Sequence, residues 1–552
     1  MGVECVKRIF IIACGWLVLS CGDFHFEALS TGQKVDTGEP EQTDTKEAVV
    51  VVKHKPVPQD SLFDGDKPDL DGYVELPVQQ VGNGTADSCD EGTLRQAITA
   101  INSAGEGKIE FHCGNQFHRI LLNGPLIINP GVRIFVSGTL NDSRKPDVAL
   151  DGRDENPIFV IGEETDVAIE RMTFVNAQRE LGSDGGAIRV VNETLGGKLI
   201  LSECVFKHNT AKDKFGGAVY AEQLLELYIY RSVFEDNYAV SGGALFLYET
   251  MFNITNSYFI GNFVDYEGGA IFMENADAEV APTHLLRGNW FSANRADEGG
   301  SAVKAQQSEP VDLVVEQCEF ESNQVDKDQA GNSGGGALSM SGGRLLLDSS
   351  SFQDNISSAN SAAVWVNSDR GFEIVNCTFY NNESTRGLCG ALYQSDKNQS
   401  IIRNATFYQN RGIEYGAIYS VNTDGLSISS TVFVNNIIDP FASRSCNATF
   451  LEGANFAGDE AQRVSSNIQF ADNPASDRAL CTPMINQSNP NLSPPQKNGG
   501  FVSTCGVTGN SSAAGVGADC ADNDARGEER VDAPDKCYAG AYEYVSVSSL
   551  DN

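Results

Sequence analysis

Tryptophan, methionine and histidine are scarce in this chain of 552 residues, at 3, 6 and 6 copies. None of the histidines (25, 54, 112, 118, 208 and 284) stands at a spacing that suggests a shared metal ion, and no CxxC or CxxH spacing supports a structural zinc site. Basic residues are also few: 39 Lys and Arg face 75 Asp and Glu, a formal charge of −36. A nucleic acid would meet repulsion rather than a steering field, so it is excluded as a partner. Beyond the first twenty residues no apolar run approaches the roughly twenty residues of a membrane helix. The apolar fraction of 41% nevertheless suffices for a sizeable core, which excludes wholesale disorder.

The N-terminus is organised for export. Lys7-Arg8 is followed by the apolar run Ile9 to Leu19 and by Ser20-Cys21, a basic start and a short apolar stretch that together read as a signal peptide over residues 1–20. Val18-Leu19-Ser20-Cys21 resembles a bacterial lipobox, which implies lipid on Cys21; cleavage without lipidation is the alternative. Residues 21–75 are rich in Asp, Glu, Thr, Gly and Pro and read as an extended acidic tether. An exported chain oxidises suitably placed cysteines. Eleven follow Cys21, so at least one stays unpaired, and the favoured pairs are Cys89 with Cys113 and Cys520 with Cys537.

The strongest pattern is a repeat of roughly thirty residues marked by Phe-x-x-Asn, which occurs nine times from Phe206/Asn209 to Phe433/Asn436. Two residues before each Phe stands a small or short polar side chain (Cys204, Ser232, Ser257, Asn289, Cys318, Ser350, Cys377, Ala405, Thr431). Five before it stands an aliphatic one, from Leu201 to Ile428. Between these elements recurs Gly-Gly-Ala, as at 216–218 and 242–244, or a degenerate form such as Gly299-Gly300-Ser301. Period-two alternation in short blocks separated by turns means strands with one buried face, and leaves no room for helices of ordinary length. Three short strands per repeat close into a coil. The predicted fold is therefore all-β: a right-handed parallel β-helix of about twelve coils over 108–440, with coils stacked at about 4.8 Å.

Stacking assigns roles to the repeated residues. Phe forms an internal ladder, the small residue makes space beside the ring, and Asn bonds its own backbone or the neighbouring amide. Cys204, Cys318 and Cys377 occupy the small inward slot and read as buried thiols rather than nucleophiles.

The Gly-Gly-Ala-Ile and Phe-x-x-Asn repeats resemble those of the chlamydial polymorphic outer-membrane proteins, surface adhesins with β-helix passenger regions. The ends resemble the exported β-helix proteins of the choice-of-anchor Q type. Cys89-Asp-Glu-Gly-Thr-Leu-Arg-Gln-Ala-Ile98 matches that group's entry motif, while Asp524-Ala-Arg-Gly527 and Tyr538-Ala-Gly-Ala-Tyr-Glu-Tyr544 resemble its closing motifs. The resemblance implies an N-terminal cap over 76–107, whose helix starts at Thr93 and presents Leu94, Ile98 and Ile101 to the open first coil. It also implies a C-terminal capping region over 441–545, with 546–552 as a tail. The transporter barrel of the chlamydial proteins is not recognisable after the closing motif, so Cys21 is the expected membrane anchor.

Catalytic groups are sparse at outward strand positions. Before the ladder Phe the outward residue is Val205, Val233, Tyr258, Trp290, Glu319, Ser351, Thr378, Thr406 or Val432, of which only Glu319 ionises. After Gly-Gly-Ala it reads Arg189, Tyr220, Phe246, Phe272, Val303, Ser339, Trp365, Tyr393 and Tyr419. The six rings Tyr220, Phe246, Phe272, Trp365, Tyr393 and Tyr419 make a stripe that either stacks on an extended glycan or lies beneath turns or the C-terminal segment. The acidic cluster Asp519, Asp522, Asp524, Glu528, Glu529 can hold Ca²⁺ or form a solvated loop; no other cofactor is expected. These features point to a lipid-anchored, exported, non-catalytic display or adhesion rod at the outer membrane or cell surface, binding polysaccharide or a host or cell-surface protein. The alternative is a polysaccharide lyase or glycoside hydrolase on the same scaffold, since such enzymes share it.

Overall fold

The computed structural model describes residues 66–544 apart from short stretches, the longest of them 447–464, together with the antiparallel pair Ile11–Ile12 and Gly15–Trp16. Cys21, most of the signal segment and of the tether, and the tail lie outside the described residues. From Asp66 onward the chain is a parallel β-helix of about 12 turns, with strand far exceeding helix. No described helix is long and apolar enough to cross a membrane.

One coil shows why this sequence closes as it does. Val303–Gln307, Asp312–Glu316 and Glu319–Glu321 form three successive faces, and a fourth ladder of only two residues, Gln324–Val325, turns the corner. Each strand pairs in parallel register with its equivalents one coil before and after, so like side chains lie over like. The first two faces merge into one sheet because two long strands, Ile188–Ser202 and Val219–Tyr230, run through the corner between them. The Phe face is a separate sheet of 13 strands.

Ten phenylalanines, Phe174 through Phe433, stack inside, with ring centroids 4.5 to 5.2 Å apart and planes within 12° of parallel. All are fully buried. Phe174 extends the ladder one coil beyond the motif, since Ala177 stands where Asn would. The nine asparagines form a second ladder. Asn323 Nδ2 donates to Phe291 O and to Asn355 Oδ1, each at 3.0 Å, while its Oδ1 accepts from the backbone and side chain of Asn294. Every interior amide is thereby satisfied by its neighbours, which is what permits a polar row in a dry core.

Backbone geometry at the corners repeats from coil to coil. The residue before each ladder Asn and the residue before each small slot adopt positive φ, as at Ser322 and Gln317, with Gly261 and Gly288 in the equivalent corners of two coils. In the Gly-Gly-Ala corner a Cβ at Gly217 would lie 2.1 Å from Gly243 O, so the coils touch backbone to backbone there. Cys204, Cys318 and Cys377 fill the small slot, wholly buried, and burial pushes the first two thiols up to about 12 and the third well above its ordinary value.

The ends depart from the repeat. The cap helix α2 (Glu91–Ala104) follows a single-turn helix α1 (Asp71–Val74), and α2 buries Leu94, Ala97, Ile98 and Ile101 against the first coils. It begins earlier than the sequence suggests: Asp90, not Thr93, is its cap, accepting from Thr93 N at 2.7 Å and from Thr93 Oγ1 at 3.1 Å. Residues 66–75, assigned by composition to the tether, pack on the outer side of the second face. Tyr73 is buried against Phe135, with Arg133 above its ring, and Asp66 meets Arg287 at 3.1 Å. Cys89–Cys113 and Cys520–Cys537 are bonded, and so are Cys446 and Cys481, a pair that no spacing indicated.

The C-terminal region is more than an end cap. Ile468–Phe470 adds a last strand to the Phe face, and residues 490–543 then turn back along the outside of that face. Gly540 N donates to Ser430 O, Ala541 N to Thr406 Oγ1, Ala521 N to Asn404 Oδ1 and Asn376 Nδ2 to Asn523 O. At the heart of this cover Arg530 and Glu543 form a fully buried pair at 3.1 Å, and Arg530 also donates to Asn376 Oδ1 and Gly540 O. Asp524 accepts from Arg526, from Glu528 N and from Glu543 N. The closing motifs thus hold the cover down.

Candidate functional site

The aromatic stripe lies on one outward row, with a one-residue correction. Gly300-Ser301-Ala302 is the true corner of its coil, so Val303 points inward over Ile271 and Lys304 takes the outward place. Tyr220, Phe246 and Phe272 stack at 5.5 and 4.9 Å, but Phe215 lies on Phe246 at 4.6 Å, and Tyr248 and Val191 pack alongside. The three rings are left 8, 5 and 6% exposed. Lys304, itself buried, interrupts the row, bonding Glu267 at 2.7 Å and lying over Trp365. Trp365 is 9% exposed, and only Tyr393 and Tyr419 are half-buried. The corner strand and turns of the chain itself cover most of the stripe. The four buried rings therefore act as packing, not as a glycan floor.

The accessible rings are on another face. On the outside of the Phe strands, Leu140 from the loop 139–147 packs over Val205 and Val233, anchored by Arg144 to Glu203 at 2.6 Å. From the other end the C-terminal cover buries Ser351, Thr378, Thr406 and Val432. Between the two covers one window stays open, at the three coils that carry Tyr258, Trp290 and Glu319 in register. It is a recess of about 690 Å³, walled by Lys497, Gly499, Gly500 and Phe501 of the cover, within the size range of small-molecule sites.

Its floor is built from two half-buried rings and two carboxylates. Tyr258 and Trp290 meet edge to face at 5.6 Å, and Trp290 Nε1 donates to Glu321 Oε2 at 3.2 Å. Glu319 is held on three sides: Lys497 Nζ touches Oε2, Ser503 Oγ donates at 2.6 Å and Gln353 Nε2 at 2.8 Å. Glu321 is in no ion pair among the described residues. Burial, together with the charge of Glu319, holds its carboxyl above the ordinary range. Alternation alone places Glu321 beside Glu319, two residues on along one strand, at the outward position that follows each ladder Phe.

The other sequence candidates fall elsewhere. Arg189 stands half-buried at the first coil of the stripe, in register with Tyr220. Of the acidic cluster, Asp524 is spent on Arg526 and backbone amides, and among the described residues no group of three His, Cys, Asp or Glu converges as a metal site. The cysteine pairs 89–113 and 520–537 staple the first coil and the cover. No protein-family model matches the chain, and neither a curated protein nor a solved structure does.

Proposed function

We propose that this chain is an exported, lipid-anchored β-helix rod that displays a glycan-binding recess at the bacterial cell surface and performs no chemistry on its ligand. The supporting observation is the window at Tyr258, Trp290 and Glu321. Two covers close the rest of that outer face, and the opening falls where outward rings and a carboxylate coincide. Flat ring faces suit the apolar faces of sugars, and flanking polar groups suit their hydroxyls. The anchor belongs to the same reading: lipid on Cys21 would hold the acidic rod off a membrane without a spanning helix. Two assays test it. Radioactive palmitate should label the native chain and not the Cys21→Ser variant. Neutral oligosaccharides should shift the fluorescence of Trp290, and silence across a broad glycan panel would refute the binding role.

A second reading, glycoside hydrolysis or polysaccharide cleavage, draws on the pair Glu319 and Glu321, one carboxyl raised and its neighbour beside an ammonium, as acid and base groups often are. Against it, Glu319 is already saturated by Lys497, Ser503 and Gln353. New reducing ends or unsaturated products from acidic and neutral polysaccharides, with Ca²⁺ added, would establish the enzyme instead.

A further inference from the structure

The recess carries more information than an aromatic floor. Glu319 and Lys497 neutralise one another, so the net charge facing the cavity is that of Glu321, with Asp354 adding to it from the adjacent coil. The floor beside that charge is the pair Tyr258 and Trp290, and the wall opposite is Phe501, whose face is already occupied by the Lys497 ammonium. A carboxylate set against half-buried rings that line a recess is a site for a cation that also has an apolar body. The ammonium gains from the carboxylate and from the ring quadrupole together. An anionic sugar meets the opposite field, locally and from a chain of charge −36. The three coils span about 10 Å, room for a short oligosaccharide rather than a single monosaccharide.

Resting on the glycan-binding reading above, we infer that the ligand is a glycan bearing free amino groups: a hexosamine unit seated on Trp290 with its ammonium on the Glu321 carboxylate. The observations favour this over a neutral glycan because Glu321 lines the recess, where its Oε2 accepts from Trp290 Nε1, and is in no ion pair with a cation of the protein among the described residues. They favour it over an acidic glycan because Lys497, the one cation lining the recess among the described residues, is committed to Glu319 and to Phe501 O.

The test uses full-length protein carrying Trp16→Phe and Trp365→Phe, which leaves Trp290 as the sole tryptophan of the three. Three tetramers are titrated by Trp290 fluorescence: glucosamine with every amine free, its fully N-acetylated counterpart, and cellotetraose. The free-amine tetramer should bind about tenfold or more tighter than the other two, the scale of one charge-assisted bond. Glu321→Gln should erase that preference while retaining weak binding of all three, with an unchanged circular dichroism spectrum. The preference should also fade in acid as Glu321 gains a proton and in alkali as the amine loses one. Equal affinity for acetylated and free-amine tetramers, or a preference that survives Glu321→Gln, would overturn the amino-sugar inference and leave glycan binding standing. No response to any tetramer from the folded protein would overturn both.

Discussion

Two rows of outward aromatic side chains run along this β-helix, and they meet opposite fates. Tyr220, Phe246 and Phe272 stack neatly yet are sealed by Phe215, Tyr248 and Val191, whereas Tyr258 and Trp290, at an equally outward position on the Phe face, line an open recess. Strand alternation treats the two rows alike. What separates them is what crosses over them: at the first row the corner strand of the same coil, at the second a loop and a C-terminal segment that stop short of each other. Outward position specifies only that a residue leaves the core. Whether it reaches solvent is decided by what lies over it: side chains from the same and neighbouring coils at the first row, and segments far away in sequence at the second.

Substitutions sharpen that contrast, the largest effects coming from what is sealed. Phe259→Ala removes a ring from the interior ladder and Phe246→Ala one from the sealed row. Each should cost about 3 to 5 kcal/mol in denaturant melts, as large cavities do. A loss below about 1 kcal/mol at Phe246 would mean that the row is open after all. Glu543→Gln strands the buried Arg530 charge and should cost about 3 kcal/mol or more in stability of the cover. Protease nicking within 490–543 should report that loosening before the coils unfold. Trp290→Ala, by contrast, should leave stability within about 1 kcal/mol of the parent while abolishing glycan binding measured by titration calorimetry. The smallest effect is in pH dependence. The carboxyl of Glu321 is raised from an ordinary 4.5 in the folded state, so its contribution to stability is present below that value and is lost as pH rises through the folded value. Glu321→Gln should therefore be more stable than the parent at neutral pH, and the two should converge below about pH 4.5; a gap that persists in acid would show that Glu321 is not ionised against its surroundings.

How far the fold was legible follows the same division. The interior was readable because its signal is local and periodic: Phe-x-x-Asn, the small slot and the aliphatic residue five before each Phe sit at fixed offsets, and the ring and amide ladders follow from stacking them. Where the period blurs, the repeat slips by one, as at Gly300-Ser301-Ala302, where a Ser replaces the second Gly and alternation counted from Gly299 puts Val303 outward instead of Lys304. The covers were not readable. Arg144 to Glu203, Lys497 to Glu319 and Arg530 to Asn376 join residues separated by tens to well over a hundred positions with no repeat behind them. Composition likewise hid the packing of Tyr73 on Phe135, because an acidic, proline-bearing segment looks the same whether it floats or lies on a sheet. The recess was legible only in part: Glu319 stands out in sequence as the one ionisable residue of its row, but only the cover makes a cavity of Tyr258, Trp290 and Glu319.

The most direct test compares two tryptophans. In single-tryptophan variants that retain either Trp290 or Trp365, acrylamide should quench Trp290 several-fold more efficiently, and a bound oligosaccharide should protect Trp290 alone. Equal quenching of the two, or protection at Trp365, would contradict the division into a sealed stripe and an open window.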